Sequence, residues 1–221
     1  MTDYLTAASL IRRPVIVAPM AGGVSTPALV AEAGAAGALG FLPAGYKKAA
    51  ALRQEIDAVR AVTKEPFGVN VFMPGTATAD PAGLRQYVES LADDARVLRA
   101  EAGEAAWDDD DLAAKLEDLL ARPVPVVSFT FGCPVAAVVA RLHEAGSGVW
   151  ATVTDEREAG IAAERGADCL VVQGVEAGAH RGTFGNDPGG TGDPRGVLEL
   201  LAAIRAGSSL PLVAAGGIMS A

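Results

Sequence analysis

The chain has 221 residues, of which 50% are hydrophobic and 20% charged, and its formal net charge is −9 at pH 7. This length and composition suffice for one domain with a sizeable core and argue against disorder. The acidic balance disfavours partners such as nucleic acid or an anionic membrane surface, because both repel a negatively charged protein.

The first part of the chain alternates short apolar runs with alanine-rich amphipathic stretches. Residues 14–20 are continuously apolar, which is typical of a strand buried on both faces. Thr26 and Pro27 predict the start of a helix, with threonine as its cap and proline in its first turn, and Gly34 predicts its end. The pattern continues with a strand, a helix and a strand at 38–42, 47–62 and 66–72.

The segment from 81 to 122 is longer and more charged than the other connections. It is interrupted by Trp107 and the four aspartates of 108–111. We interpret these acids as a solvated break between two helices, at the N-terminus of the second, where the helix dipole favours negative charge. A metal site is the alternative, and it is disfavoured because adjacent side chains diverge on a helix.

The alternation resumes at residue 124. Four more strands are predicted at 124–130, 149–153, 169–173 and 210–215, and three helices at 134–144, 155–165 (capped by Asp155) and 194–206. Strands that alternate with helices imply right-handed parallel crossovers and therefore an α/β fold. Seven such units without an early dinucleotide-binding glycine motif favour a (β/α)8 TIM barrel over a doubly wound sheet.

The number of predicted strands is one short of a closed barrel. Such barrels need eight strands and about 250 residues to close, whereas the sequence stops just beyond the seventh predicted strand. We therefore expect a single domain over 1–221 that is truncated after strand seven, or one that closes by exchange with a partner chain. An open barrel would expose strand edges and an apolar interior, which favours aggregation.

Several predicted strand ends carry residues that are unusual for plain packing, and in such barrels functional groups gather there. After the first strand, Met20 and Ala21 precede Gly22 and Gly23, which either let a flat ligand approach the backbone or form a tight turn. Asn70 lies inside the third strand. Its buried amide needs partners, which a ligand heterocycle or neighbouring core groups would supply.

The richest candidate follows the sixth strand. Gln173 ends this strand, and the glycine-rich turn at 174–182 carries Glu176, His180 and Arg181. Histidine titrates near neutral pH, which suits proton transfer or anion binding, and a plain surface-loop histidine is the alternative. The other histidine, His143, lies on a predicted helix away from the strand ends, so we expect it to be solvated or structural.

Glycines also follow the seventh strand. Gly216 and Gly217 fit a phosphate site in which backbone N–H groups are the donors. The loop at 183–192, which contains Asn186 and Asp187, is expected to cover the site, with an ordinary flexible loop as the alternative.

The remaining signals concern the cellular compartment. Residues 1–23 lack a basic region followed by an unbroken apolar stretch, so we expect no secretory signal. No apolar run approaches the roughly 20 residues of a membrane-spanning helix. Cys133 and Cys169 have no metal-ligand spacing, and Cys169 lies in an apolar run typical of a core residue. A cytoplasmic protein is the simplest expectation.

Five segments, in this order, resemble the nitronate monooxygenase family, formerly called 2-nitropropane dioxygenases. They are PVIVAPMAGG (14–23), GVNVF (68–72), VVSFTFGCP (126–134), GADCLVVQGVEAGAHRG (166–182) and PLVAAGGI (211–218). The EAG-x-H turn after the sixth strand is the most specific of them. The related flavin-dependent enoyl-ACP reductases share much of this pattern.

This resemblance implies an FMN site across the mouth of the barrel. Met20 and Ala21 would lie beside the flavin, and Asn70 and Gln173 would hydrogen-bond to it. The expected partners are a small-molecule nitronate or nitroalkane and O2. Homo-oligomerisation stays open, and no metal is implied.

The resemblance also assigns the glycines and the histidine. Gly178 would allow close passage of the cofactor, and Gly216 and Gly217 would hold its phosphate. His180 matches the family's catalytic histidine, which binds the nitronate and removes the α-proton of neutral nitroalkanes. One-electron transfer to FMN and reaction with O2 would then give a carbonyl compound and nitrite.

Two departures from the family pattern concern the fourth strand and the C-terminal part. Thr130 stands where many members have histidine, Cys133 where they have leucine, and the family's strand-eight segment with its phosphate-binding turn is missing. The sequence leaves two alternatives open: a NAD(P)H-dependent flavin reductase of the enoyl-ACP type, because such reductases share the turn after strand six, and a truncated chain without chemistry, because the eighth unit is missing.

Overall fold

The structure, a computed structural model, describes residues 10–76, 80–178, 180–185 and 193–218. Its seven strands are parallel and form one sheet in chain order, with β1 and β7 at the edges. They are β1 (Ile16–Val17), β2 (Leu39–Pro43), β3 (Phe67–Phe72), β4 (Val126–Thr130), β5 (Gly148–Val153), β6 (Cys169–Gln173) and β7 (Leu212–Ala215). This architecture confirms the predicted α/β fold of the TIM-barrel type.

Helices connect the strands. Those in the described residues are α1 (Pro27–Ala35), α2 (Ala49–Val62), α3 (Pro81–Ser90), α4 (Ala92–Leu98), α5 (Leu112–Ala121), α6 (Ala136–Ala145), α7 (Glu156–Glu164) and α8 (Val197–Gly207). The long charged connection thus contains three helices, α3 to α5, rather than the two predicted. Over the same described ranges, no helix combines the length and the apolar character needed to cross a membrane.

The first strand is much shorter than the predicted 14–20. Only Ile16 and Val17 pair with β2, opposite Leu39 and Gly40. β1 lies at the edge of the described sheet and therefore hydrogen-bonds to one neighbouring strand only. For this reason the apolar residues on either side of Ile16 and Val17 do not extend the strand.

The start of α1 follows the prediction, whereas its end does not. Thr26 Oγ1 accepts the Leu29 N–H at 3.2 Å, which confirms the predicted cap. Gly34 was predicted to end the helix, but α1 continues to Ala35, and Gly37 adopts the left-handed φ of +87°. A Cβ on Gly34 would lie 2.7 Å from the Glu65 side chain, so this glycine serves close packing instead.

The core has two faces. Between the sheet and the helices lie mainly branched aliphatic side chains, among them Leu42, Leu52 and Val127. The opposite face of the sheet holds a smaller cluster around Trp150, which is fully buried and has its ring centroid 5.6 Å from that of Phe41. This cluster fills the barrel interior, so the interior is packed in the described part of the chain and is not a channel.

Both cysteines lie in the core, Cys169 in the cluster around Trp150 and Cys133 in a separate cluster with Ala151 and Leu170. Cys133 is 1% exposed and Cys169 is fully buried, which confirms the prediction for Cys169. Burial raises the pKa of the Cys133 thiol to about 11 and that of the Cys169 thiol to about 12. Since the thiolate is the reactive form, both side chains are inert near neutral pH.

A glycine in β2 allows α1 to pack directly on the sheet. A Cβ on Gly40 would lie 2.8 Å from Val30 Cα and 3.0 Å from its carbonyl oxygen, and backbone atoms cannot move aside as a side-chain tip does. We expect Gly40→Ala to lower the free energy of unfolding by about 1–3 kcal/mol, measured by urea denaturation. Gly160→Ala in α7 is the matched control, because its Cβ would meet open space. It should be neutral or stabilise by up to about 1 kcal/mol, and equal losses in the two variants would contradict the packing argument.

Candidate active site

A row of polar side chains crosses the carboxyl ends of the central strands. Asn70 Nδ2 donates to Ser128 Oγ at 2.9 Å and to Thr130 Oγ1 at 3.0 Å. Thr130 Oγ1 lies 3.3 Å from Thr152 Oγ1 on the next strand. Asn70 is therefore part of this row at the barrel mouth, and its amide nitrogen is satisfied by two side chains of the neighbouring strand β4. Its contact with FMN stays a prediction.

Gln173 holds the loop that carries the candidate histidine. Its Oε1 accepts the Gly182 N–H at 2.6 Å, and its Nε2 donates to the His180 carbonyl oxygen at 3.0 Å. The single amide thus clamps the backbone on both sides of residue 181. This positioning role was not predicted from the sequence, whereas the predicted contact between Gln173 and FMN remains a prediction.

The glycines after β7 pack against the turn after β6. Gly216 and Gly217 have φ values of +114° and +64°. A Cβ on Gly216 would lie 2.9 Å from the Ala177 nitrogen, and one on Gly217 would lie 2.8 Å from Glu176 Cβ. The Glu176 carboxylate in turn accepts the N–H of Val197, the first residue of α8, at 2.9 Å. Both glycines are therefore required by the backbone, and their role in phosphate binding stays a prediction.

The side chain of Ser25 holds the turn after β1 by hydrogen bonds within the turn. Ser25 is 3% exposed, and its Oγ accepts the Met20 N–H at 2.9 Å. Ala21 follows, and then Gly22 and Gly23 adopt φ values of +79° and +95°, with nothing within 4 Å of a Cβ placed on either. The space above these glycines is open, and Met20 is 39% exposed beside it.

His180 borders a cavity of about 540 Å³ on the β2–β4 side of the barrel mouth. Tyr46 Oη lies 3.3 Å from His180 Nε2, and the Phe131 ring meets the imidazole edge-on at a centroid distance of 5.9 Å. Phe72 contacts both of these aromatic rings, at 5.5 Å and 4.9 Å. The candidate histidine thus stands among three aromatic side chains, and Lys48 also lines the cavity.

None of these three aromatic residues was singled out as a site residue from the sequence. Tyr46 and Phe131 have φ values of +63° and +69°, a left-handed conformation that is unusual for bulky residues. Such strain is found preferentially at functional sites. Their positions in the sequence could have indicated a site role, because Phe131 directly follows β4 and Tyr46 lies three residues after the end of β2.

The loop expected to cover the site is described only at its two ends. At one end, the Phe184 N–H donates to the Glu158 carboxylate at 2.6 Å, and Glu158 is 1% exposed. At the other end, the Arg195 guanidinium donates to Asp193 and Glu156, and these hydrogen bonds hold the pKa of both carboxyls below their usual range. Asn186 and Asp187 lie outside the described residues, so the covering role stays a prediction.

The acidic run at 108–111 was interpreted as a solvated helix start, and this is wrong for its last two members. Asp110 Oδ1 accepts the Tyr46 N–H at 2.9 Å, and Asp111 Oδ2 accepts the N–H of Ala49, the first residue of α2, at 2.8 Å. Lys115, which is fully buried, has its Nζ 2.8 Å from Asp110 Oδ2. The run does precede α5, but the Asp110 and Asp111 carboxylates accept from backbone N–H groups 64 and 62 residues away in the sequence. In the described ranges, no group of three or more histidine, cysteine or acidic residues is arranged to hold a metal ion.

His143 has a structural environment. Its Nε2 lies 2.8 Å from Asp168 Oδ2, and both side chains are largely buried. The same carboxylate oxygen accepts the Val149 N–H at 2.6 Å. The structural alternative predicted for His143 is therefore confirmed.

The clamp formed by Gln173 makes a measurable prediction. Gln173→Leu removes both hydrogen bonds to the His180 loop, so we expect the Gly182 amide to exchange with solvent at least about fivefold faster, since one hydrogen bond contributes about 1 kcal/mol. Hydrogen exchange followed by NMR measures this rate. Gln54→Leu, on the exposed face of α2, is the matched control and should leave Gly182 unchanged. An unaltered rate in the Gln173 variant would show that the loop is held by other contacts.

The chain matches a known protein family over nearly its whole length. The family model described as nitronate monooxygenase matches residues 3–221. A nitronate monooxygenase of Paraburkholderia phytofirmans is 41% identical over 95% of this chain and 57% of its own length. One of Pseudomonas aeruginosa is 39% identical over 99% of this chain and 63% of its own length. The chain therefore spans about three fifths of the curated relatives it matches.

Solved structures agree with this result. Nitroalkane oxidase from Streptomyces ansochromogenes superposes with a TM-score of 0.91 at 45% identity, over 97% of this chain and 62% of that one. FabK from Thermotoga maritima gives a TM-score of 0.65 at 26% identity, over 94% and 52% of the two chains. From the extent of the family match and the identity to the curated relatives, this chain belongs to the nitronate monooxygenase family.

Proposed function

We propose that this chain carries the proton-transfer group and the flavin-binding mouth of an FMN-dependent nitronate monooxygenase. The observation that carries the proposal is the placement of His180. It follows β6 on a loop clamped by Gln173, and it borders an aromatic cavity of about 540 Å³. This volume lies in the range of small-molecule sites, and the family membership supplies the substrate class, a nitronate or nitroalkane.

The barrel mouth fits a flat phosphorylated cofactor. A Cβ on Gly22, Gly23 or Gly178 would meet nothing within 4 Å, so a ring system has space to approach the backbone there. Met20 and Ala21 would lie beside that ring. Asn70 and Gln173 would contact it with the hydrogen-bonding capacity that their amide groups retain, and Gly216 and Gly217 would face the phosphate.

The reaction step carried out by the chain's own residues is the transfer of one proton. A ring nitrogen of His180 takes the α-proton of a neutral nitroalkane, and the carbon–hydrogen electron pair moves into the nitro group to give the nitronate. The protonated imidazole then faces the negative oxygens. Phe131 packs edge-on against this ring, and Phe72 packs in turn against Phe131.

Bound FMN would supply the one-electron chemistry with O2 that follows. Overall, two nitronate ions and one O2 give two carbonyl compounds and two nitrite ions, so atoms and charge balance. This stoichiometry makes nitrite release the direct measure of turnover.

The visible spectrum of the purified chain, after FMN is added and the unbound excess removed, tests the proposal first. A retained, protein-perturbed flavin spectrum is expected, followed by anaerobic bleaching with propionate 3-nitronate and nitrite release when air is admitted. Absence of retained flavin, or of bleaching by nitronates, would overturn the proposal for this chain.

The weaker likeness to FabK supports a second candidate, a NAD(P)H-dependent flavin reductase. The same anaerobic experiment separates the two. Bleaching by NADPH or NADH without bleaching by nitronate would favour the reductase.

A further inference from the structure

We propose that Tyr46 is the hydroxyl partner of His180 and that the acidic segment at 107–111 is built to position it. The inference rests on the proposed function, because it assigns His180 as the base. Its central observation is the 3.3 Å distance between Tyr46 Oη and His180 Nε2. These residues lie on loops after β2 and β6, so neither local sequence nor one secondary-structure element brings them together.

The backbone of Tyr46 is held in a strained state. Its φ of +63° is left-handed, and its N–H donates to Asp110 Oδ1 at 2.9 Å. The preceding residue is Gly45, where a Cβ would lie 2.2 Å from the Phe72 ring. Gly45 therefore lies directly on the Phe72 ring, and the Tyr46 ring meets the same phenylalanine edge-on at a centroid distance of 5.5 Å.

Asp110 is itself anchored by a buried charge. Lys115 is fully buried, and its Nζ lies 2.8 Å from Asp110 Oδ2. Beyond this ion pair, neither atom has a hydrogen-bond partner among the described residues, so the pair relies on its mutual electrostatic attraction. Asp110 also donates its N–H to Asp108 Oδ1 at 2.7 Å. A carboxylate tied to a buried ammonium cannot swing into solvent without leaving that ammonium unpaired.

The rest of the segment at 107–111 forms hydrogen bonds to residues on both sides of the cavity. Trp107 Nε1 donates to the Gly75 carbonyl oxygen at 2.8 Å, and Gly75 follows β3. Asp111 Oδ2 accepts the Ala49 N–H at 2.8 Å and so caps α2, which begins three residues after Tyr46. The segment thus spans from the β3 loop to the β2 loop, and Asp108 and Asp110 line the cavity between them.

In this inference the Tyr46 hydroxyl is the donor and His180 Nε2 the acceptor of the contact. A phenol hydroxyl that donates to Nε2 of a neutral histidine leaves the ring proton on Nδ1. Nε2 is then the basic nitrogen that faces the cavity. When Nε2 takes the α-proton of the substrate, the Tyr46 hydroxyl is free to donate to one nitronate oxygen while the new Nε2–H donates to the other.

Histidine ring ¹⁵N NMR of the uniformly labelled 221-residue chain tests the contact. The chain has only two histidines, and His143, which lies against Asp168, serves as the internal reference. The expected result is a Nδ1–H tautomer for His180 in the wild type and a shift of at least about fivefold towards the Nε2–H tautomer in Tyr46→Phe, corresponding to loss of one hydrogen bond. Tyr87→Phe, an exposed tyrosine on α3, is the matched control and should change nothing. An Nε2–H tautomer in the wild type, or no response to Tyr46→Phe, overturns the inference.

The positioning role of Asp110 is tested in Asp110→Ala/Lys115→Met, which removes both members of the buried pair. This variant should shift the His180 tautomer in the same direction as Tyr46→Phe, and adding Tyr46→Phe to it should have no further effect. Additive shifts would show that the segment does not act through Tyr46. If the double variant does not fold, exchange of the Tyr46 amide in the wild type decides, because exchange at the rate of an unstructured chain excludes the Asp110 clamp.

These measurements need neither FMN nor turnover. Nitronate oxidation with no response of the His180 tautomer to Tyr46→Phe would overturn this inference alone. A correct tautomer response without nitronate oxidation would overturn the proposed function alone.

Discussion

Replacing His180 by asparagine should lower the turnover of a neutral nitroalkane by about 10²–10⁴-fold, the usual contribution of a positioned general base. Asparagine keeps a hydrogen-bonding side chain near Tyr46 Oη but has no nitrogen that accepts a proton at neutral pH. The backbone clamp from Gln173 uses the carbonyl oxygen of residue 180 and is kept in the variant. The loss therefore reports on proton transfer and not on the position of the loop.

A comparison of two substrate forms sharpens this experiment. A nitronate that is prepared in advance has already lost its α-proton, so its turnover should fall much less than that of the neutral nitroalkane. Nitrite release measures both. His143→Asn is the control because His143, on α6, pairs with Asp168 and does not line the cavity beside His180, and it should lower stability without changing the ratio between the substrates. Unchanged turnover of the neutral nitroalkane in His180→Asn would remove this residue from the mechanism.

The second large effect concerns stability. Asp110→Ala should lower the free energy of unfolding by about 3–5 kcal/mol, because it leaves the ammonium group of a fully buried lysine without its counter-ion. Replacing both partners, in Asp110→Ala/Lys115→Met, should recover most of this loss, since a buried ion pair and an apolar substitute of similar volume have comparable stability. Urea denaturation followed by circular dichroism measures the three proteins.

The control for this series is Asp94→Ala, which removes an exposed aspartate from α4. It should change the free energy of unfolding by no more than about 0.5 kcal/mol. If Asp110→Ala is as mild as this control, Lys115 reaches solvent when its partner is lost, and the segment is not anchored by a buried charge.

Local sequence predicted much of the architecture. The strands β2 to β7 lie within about two residues of their predicted ends, because continuous apolar runs are a local property of buried parallel strands. The caps at Thr26 and Asp155 were predicted for the same reason, since each side chain bonds to a residue three positions away. Gly34 failed as a helix end because its true constraint is contact with Glu65, which lies on a distant part of the chain.

The sequence by itself determined the fold type, the family and the location of His180 after β6, since each of these depends on short contiguous patterns. Tertiary structure alone decided how that histidine is surrounded. Tyr46 contacts His180, which is 134 positions away in the sequence, and Asp110, which is 64 positions away. Contacts over such separations leave no periodicity in the sequence, because they are fixed only when parallel strands bring their carboxyl ends to one side of the sheet.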